Sequence, residues 1–293
     1  MKPEPADPPI ADYESRAELS LAPPSVDVDR LPKPLRDDGE PLSVGEARDS
    51  YGKLESWNSN REDTDYPPKH KQHLRLFARI MEADRLLQER FSGGLTTVML
   101  TRRLSPLDSQ DNWLTPWELC EMLLGGGISR SVRQAINYHL GSYDFEYAAV
   151  TSGTRKAATP HEHVYLWVDD PNDTIGPEMI RPALDRHTDR CTNAYEKDHA
   201  VRADGSGGAI TVRHETDSYD KKPNNLKEIL EGETPNYPNT RGAYYVASQL
   251  PHLPASGIGD SEKPEPTNAE LDAGVTAWLS PHRWFKSSAG FPT

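Results

Sequence analysis

Two β-rich runs separated by a short polar stretch, Tyr143 to Thr151 and His161 to Val168, constrain this chain more than any other feature. Joined by SGTRKAATP, they read as an open hairpin, and a hairpin makes its strands antiparallel neighbours. Around the hairpin the apolar pattern changes period. From Lys69 to Phe91, the residues Leu74, Phe77, Ile80, Met81, Leu86 and Leu87 recur at helical steps, and Gly93-Gly94 ends the run. Leu95 to Thr101 is a strand whose apolar centre suits burial on both faces. Helices are predicted over Pro116 to Leu124 and Ser129 to Leu140, with Gly125-Gly126-Gly127 between them, and over about five turns from Pro177 to Ala194. A strand from Ala209 to Arg213 follows, then a short helix near Gly242 to Leu250 that Pro251 stops. This order predicts an α+β fold, a central antiparallel sheet with flanking helices.

The flanks differ. Residues 1–68 alternate prolines and acids (PEPADPPIADYE, REDTDYPP) without a sustained period and read as a disordered acidic, Pro-rich leader. Residues 69–254 form the expected domain, and 255–293 a C-terminal tail in which WLSPHRWFKSSAGFPT reads as a docking or linker segment. The formal charge of −13 ordinarily argues against a nucleic-acid partner. Of the 33 basic residues, however, 21 are Arg and 12 Lys, and low lysine beside 46 acids is the surface of a protein working in molar salt. There the Debye length is about 3 Å, and net charge no longer repels DNA at a distance. Cys120 and Cys191 stand in no metal or disulfide spacing, which implies a reducing interior. The N-terminal residues carry no apolar core and no window approaches a membrane span, so a soluble cytoplasmic protein without a membrane partner is expected.

The most chemical stretch is Thr159-Pro-His-Glu-His-Val-Tyr-Leu-Trp-Val168. On a strand, His161 and His163 project to one face and can bite one metal ion. Mg²⁺ or Mn²⁺ would leave positions open for a phosphate oxygen. The bland alternative is a pair of structural histidines. A second element is Arg241-Gly-Ala-Tyr-Tyr-Val-Ala-Ser-Gln-Leu250, where Tyr245 and Gln249 lie one helical turn apart, and where packing is the ordinary role for tyrosines. If that helix crosses the histidine face, Gln249 supplies a third ligand and Tyr245 points at a metal-bound phosphate, attacking it to give a tyrosyl-phosphate and a free 3′-hydroxyl. Tyr244 is the alternative nucleophile, and Tyr195-Glu-Lys197 a rival tyrosine motif. Arg102, Arg103, Arg155 and Lys156 flank these motifs and are candidates for the DNA backbone. His187, His199, His214 and His252 are spare ligands or hydrogen-bonded structural residues.

These motifs together resemble the HUH endonucleases, and the chain looks most like the rolling-circle replication (Rep) proteins of haloarchaeal plasmids and viruses. Thr96 to Thr101 matches the family's first motif, His161-Glu162-His163 its His-x-His, and GAYYVASQL its tyrosine helix, in the family's order, over about residues 95 to 254. The resemblance implies a metal-dependent endonuclease that nicks single-stranded origin DNA, keeps the 5′ end on tyrosine, and leaves the 3′ end to host helicase and polymerase. Three positions depart from the pattern. Glu162 replaces a usual hydrophobic residue, Gln249 stands where many members carry lysine, and Val150 to Gly153 lacks the carboxylate that often precedes the histidines. A transposase of the same chemistry and a non-catalytic DNA-binding replication protein are the competing readings. No GxxxxGK[ST] is present, so the chain encodes no Walker-type helicase motif.

Overall fold

A computed structural model describes residues 17–23, 39–50, 69–153, 159–215, 240–250, 271, 274–275, 277 and 282–292. Its centre is a five-stranded sheet of β1 (Leu95–Arg102), β2 (Phe145–Gly153), β3 (Pro160–Asp169), β4 (Ile210–Glu215) and β5 (Phe285–Ser287). The spatial order is β4-β1-β3-β2-β5 and every neighbouring pair is antiparallel. The helices are α1 (44–50), α2 (Lys69–Arg90), α3 (Pro116–Leu124), α4 (Ile128–His139), α5 (Pro177–Arg190) and α6 (Arg241–Ser248). The expected α+β class, an antiparallel sheet with flanking helices, is the one found.

β3 is the middle strand, and nine of its ten residues are buried because both faces of the sheet are covered. Its alternation sends His161, His163, Tyr165 and Trp167 to one side and Glu162, Val164, Leu166 and Val168 to the other. Tyr165 and Trp167 share a core with Phe77, Ile80, Met81 and Leu87 of α2 and Ala243, Val246 and Ala247 of α6. Val164, Leu166 and Val168 pack with Val132 and Ile136 of α4 and Ile180, Ala183 and Leu184 of α5. The helix expected to run from Pro177 to Ala194 ends sooner. Cys191 takes an extended backbone (φ −99°, ψ 121°), and Glu196–His199 forms a separate 3-10 turn. Cys191 and Ala194 are drawn instead into a core beneath α3, with Leu119 and Leu123.

Two parts of the flanks carry structure that their composition did not announce. In the leader, the Leu21 amide donates to Leu42 O at 2.9 Å, and Ser43 and Glu46 cap α1 reciprocally. Leu21, Ala22, Val44 and Ala47 then pack against Trp117 of α3 and Val275. The segments 17–23 and 39–50 of the leader therefore carry local structure, and the rest of the leader lies outside the described residues. In the tail, Phe285–Ser287 adds the edge strand to β2, and Phe291 is buried in the α2 and α6 core. No helix among the described residues is long and apolar enough to cross a membrane.

Candidate active site

Register builds the site from β1 and β3. Thr101 stands opposite His163, so the two side chains share a face, and the Thr101 hydroxyl meets His163 Nδ1 at 3.0 Å. Two positions back along β3, the His161 ring lies 4.6 Å from that of His163, at 90° to it. Both rings are buried, with 8% and 1% of their surface exposed. Among the described residues, His161 Nδ1 and His163 Nε2 are buried without a hydrogen-bond partner. A buried polar atom left unpaired costs about 1–3 kcal/mol, so two on adjacent rings call for a ligand. Burial first, then the charge of Arg103, lowers the His161 pKa to about 4, with backbone groups of Ser152 and Thr159 offsetting part of that. Burial, His161 and Arg103 push His163 well below the ordinary histidine value. Both imidazoles are therefore neutral near pH 7, the form that donates a lone pair to a metal. In the tautomer that donates Nδ1–H to Thr101, His163 Nε2 keeps that pair.

α6 is held over this face by contacts at its start. Thr240, the N-cap, does not cap with its side chain. Its hydroxyl donates to Asp84 Oδ1 at 2.6 Å and accepts from the Tyr165 phenol at 2.7 Å, while its amide donates to Asp84 Oδ2 at 2.9 Å. Asp84, on α2, also accepts from Trp167 Nε1 and Gln88 Nε2, so four donors converge on one buried carboxyl. Burial nevertheless pushes its pKa up to about 6. Gly242 lies flat on the Tyr165 ring, where a Cβ would come within 2.2 Å of a ring carbon, so only glycine permits this approach. Ala243, Val246, Ala247 and Leu250 then form the buried stripe of the helix.

That seating separates the two tyrosines. Tyr245 sets its ring 5.2 Å from His163 at 76°, whereas Tyr244 turns to α2 and packs edge-on against Phe77 at 5.7 Å. Both remain partly exposed. Gln249 is the C-cap of α6, half-buried, one turn beyond Tyr245 on the same side, with no hydrogen bond from its amide to either histidine. A cleft of about 240 Å³ opens beside Tyr245, lined among others by Thr97, Thr211, Arg213 and Gly242.

The basic candidates divide. Arg102 is fully buried and is thereby withdrawn from the DNA-contacting set. Its Nε donates to Glu162 at 2.9 Å, its terminal nitrogen also meets that carboxylate, and Ser129 takes a further bond at 3.2 Å. Lys286 of β5 adds a second cation to Glu162 at 3.6 Å. Burial alone would raise the Glu162 pKa, but Arg102 and Lys286 outweigh it and hold it below the ordinary value. The unusual middle residue of the His-x-His stretch therefore ties the far side of β3 to β1 and to the tail. Arg103 is exposed. Its amide donates to His199 Nε2 and its carbonyl meets His187 Nε2, each at 3.0 Å, which gives those two histidines structural roles. Arg155, Lys156 and His252 lie outside the described residues. Tyr195 is buried, and its carbonyl meets His199 Nδ1 at 2.7 Å.

A second group able to hold a metal is Asp170, Asp173 and His214, whose ligand atoms lie within 4.8 Å of one another. It sits near Thr96, roughly 17 Å along β1 from Thr101, and Asp170 already accepts from Thr96, Thr174 and Ile175. Reasoning from sequence passed over Asp84, Thr240 and Gly242. The threonine before the α6 run is a usual helix-start signal, but nothing local marks Asp84 as its partner.

A family model described as "Putative rep protein (DUF1424)" matches residues 58–291. The chain is also 27% identical over 225 residues to an "Uncharacterized 36 kDa protein" of Halobacterium salinarum. That alignment covers 77% of this chain and 63% of the relative, so it spans less than two thirds of the relative's length. No solved structure matches the chain.

Proposed function

The chain belongs to this Rep family, and on that premise we propose that it is a replication initiator of the HUH endonuclease type, which nicks single-stranded origin DNA with Tyr245 as nucleophile. The observation that carries the reading is the Tyr245 ring set against His163, beside two buried imidazole nitrogens that lack partners.

His161 and His163 would hold a divalent ion, Mg²⁺ or Mn²⁺, with Gln249 as the third donor. When bound, that ion polarises the phosphoryl group under attack. The protein's own residues do the rest. Thr101 fixes the ring orientation of His163, and the Thr240–Asp84 tether and Gly242 hold α6 so that the Tyr245 phenol faces the histidines. Arg103, exposed next to the pair, steadies the phosphate. The Tyr245 oxygen forms a bond to phosphorus as the bond to the 3′ oxygen breaks. The phenolic proton ends on the 3′ oxygen, leaving a 5′-phosphotyrosine and a free 3′-hydroxyl for host polymerase. Neither of the neutral imidazoles adds charge to the site.

The test is covalent capture. Full-length protein is incubated with single-stranded origin DNA and Mn²⁺ or Mg²⁺ in high salt, and products are separated on a denaturing gel. A metal-dependent adduct lost in Tyr245→Phe and in His161→Ala is expected. Intact DNA binding with no adduct under any metal would replace this reading with a non-catalytic replication protein.

A further inference from the structure

Among the described residues, several basic side chains converge on one groove of about 570 Å³ along the edge strand β5. Arg79 comes from α2, Arg130 and Arg133 from the first turns of α4, and His282, Arg283 and Lys286 from the tail. His282 meets Glu121 at 2.9 Å, and Lys286 serves Glu162. Arg79 and Arg133 bond backbone carbonyls, of Pro292 and Ser129 respectively. Among the described residues no carboxylate pairs with Arg79, Arg130, Arg133 or Arg283, and Arg130 and Arg283 are exposed. Like charges crowded together repel one another, and an anion in such a groove relieves that repulsion. The start of α4 opens on the same space, its N-cap Gly127 offering no side chain to the helix amides, which adds to the positive potential.

The sheet register sets the spacing of β5 from the histidine strand. Val150 of β2 is opposite both His163 of β3 and Phe285 of β5, so the three lie in one row. Two strand spacings separate the ends of the row, about 10 Å. Arg130 and Arg133 come from α4, on the Glu162 face of the sheet, and Arg79 from α2, on the histidine face, so the groove wraps the β5 edge and meets the histidine face on its Arg79 side.

We propose that the groove formed by Arg79, Arg130, Arg133 and Arg283 binds the sugar-phosphate backbone of the DNA strand that is cut at Tyr245. That this strand is the one cut rests on the nicking reading; the groove's affinity for DNA does not. Arginine contacts to phosphate hold a strand without choosing its sequence.

The experiment measures fluorescence anisotropy of a labelled single-stranded DNA oligonucleotide with the full chain, in chelator, across a salt series. The double variant Arg130→Gln with Arg283→Gln is compared with wild type and with Arg186→Gln, Arg190→Gln, a pair of exposed arginines on α5. The groove variant is expected to bind at least about tenfold more weakly and to lower the slope of log K against log salt by about 1.4, while the control pair keeps both. Wild-type affinity and slope in the groove variant, or an equal loss in the control pair, would overturn the proposal. Groove-dependent binding without a covalent adduct sinks the nicking reading alone. A Tyr245 adduct with groove-independent binding sinks the groove alone.

Discussion

The ring of Tyr245 lies 5.2 Å from that of His163, while its neighbour Tyr244 packs against Phe77, so one residue of sequence separates a tyrosine at the histidine pair from one on the α2 surface. Tyr245→Phe keeps the ring contact and removes only the hydroxyl. Adduct formation should fall by at least about 10³-fold in that variant. Tyr244→Phe should nick within a few-fold of wild type. Single-turnover nicking rates check both, and the reverse pattern would assign the nucleophile to Tyr244.

Gly242→Ala places a methyl carbon against the buried Tyr165 ring, which is locked by its bond to Thr240. Overpacking of this kind costs about 1–3 kcal/mol, and here relief requires α6 to lift from the sheet. Chemical denaturation should show that loss. Nicking should fall further than stability does, because Tyr245 moves with the helix. Wild-type nicking in a destabilised Gly242→Ala protein would show that α6 need not sit at this height.

Removing the Glu162 carboxylate leaves Arg102 buried beside Lys286 with no anion. Glu162→Leu should cost about 3–5 kcal/mol in an unfolding titration. Adding Arg102→Met should recover much of it, since replacing both partners with apolar groups removes the uncompensated charge. No recovery in the double variant would mean that Arg102 supports the fold chiefly through Ser129 and the α3 carbonyl of Leu123.

The neutral histidines make the metal-free fold acid-sensitive. An unfolded histidine takes a proton near pH 6.5, whereas His161 in the fold does so only near 4. As pH falls through that window the unfolded chain binds protons that the folded chain refuses, so stability is lost from about 6.5 downward and the loss from this group is complete near 4. Its size is on the order of 3 kcal/mol. Asp84 acts in the opposite sense, since its carboxyl, raised to about 6, gains a proton in the fold before it does in the unfolded chain. Comparing His161→Gln with wild type at about pH 7 and about pH 5 isolates the histidine contribution. The variant should lose less stability on acidification, and an equal loss would show that His161 titrates normally.

Much of the fold was legible because its signals are local. Three- and four-residue steps over α2 and α5 report which face of a helix is buried, whatever it packs on, and the period of two over β3 tells which residues share a face. The same rule put His161 and His163 on one face and Tyr245 one turn from Gln249. The edge strand β5 escaped because three residues are too few to show a period, and the α1 segment because its prolines and acids outweigh the few apolar residues that dock on Trp117.

What the sequence alone determined was the α+β class, the main strands and helices, and which residues are candidates for the site. The tertiary structure decided which of them meet. Arg102, beside the first motif, turned into the core because β1–β3 register put Glu162 opposite it. Tyr245 rather than Tyr244 reached the histidines because Thr240 bonds Asp84 across 156 positions and Gly242 presses on Tyr165. Helix phase and strand register are set by such distant contacts, and no local pattern of residues encodes them.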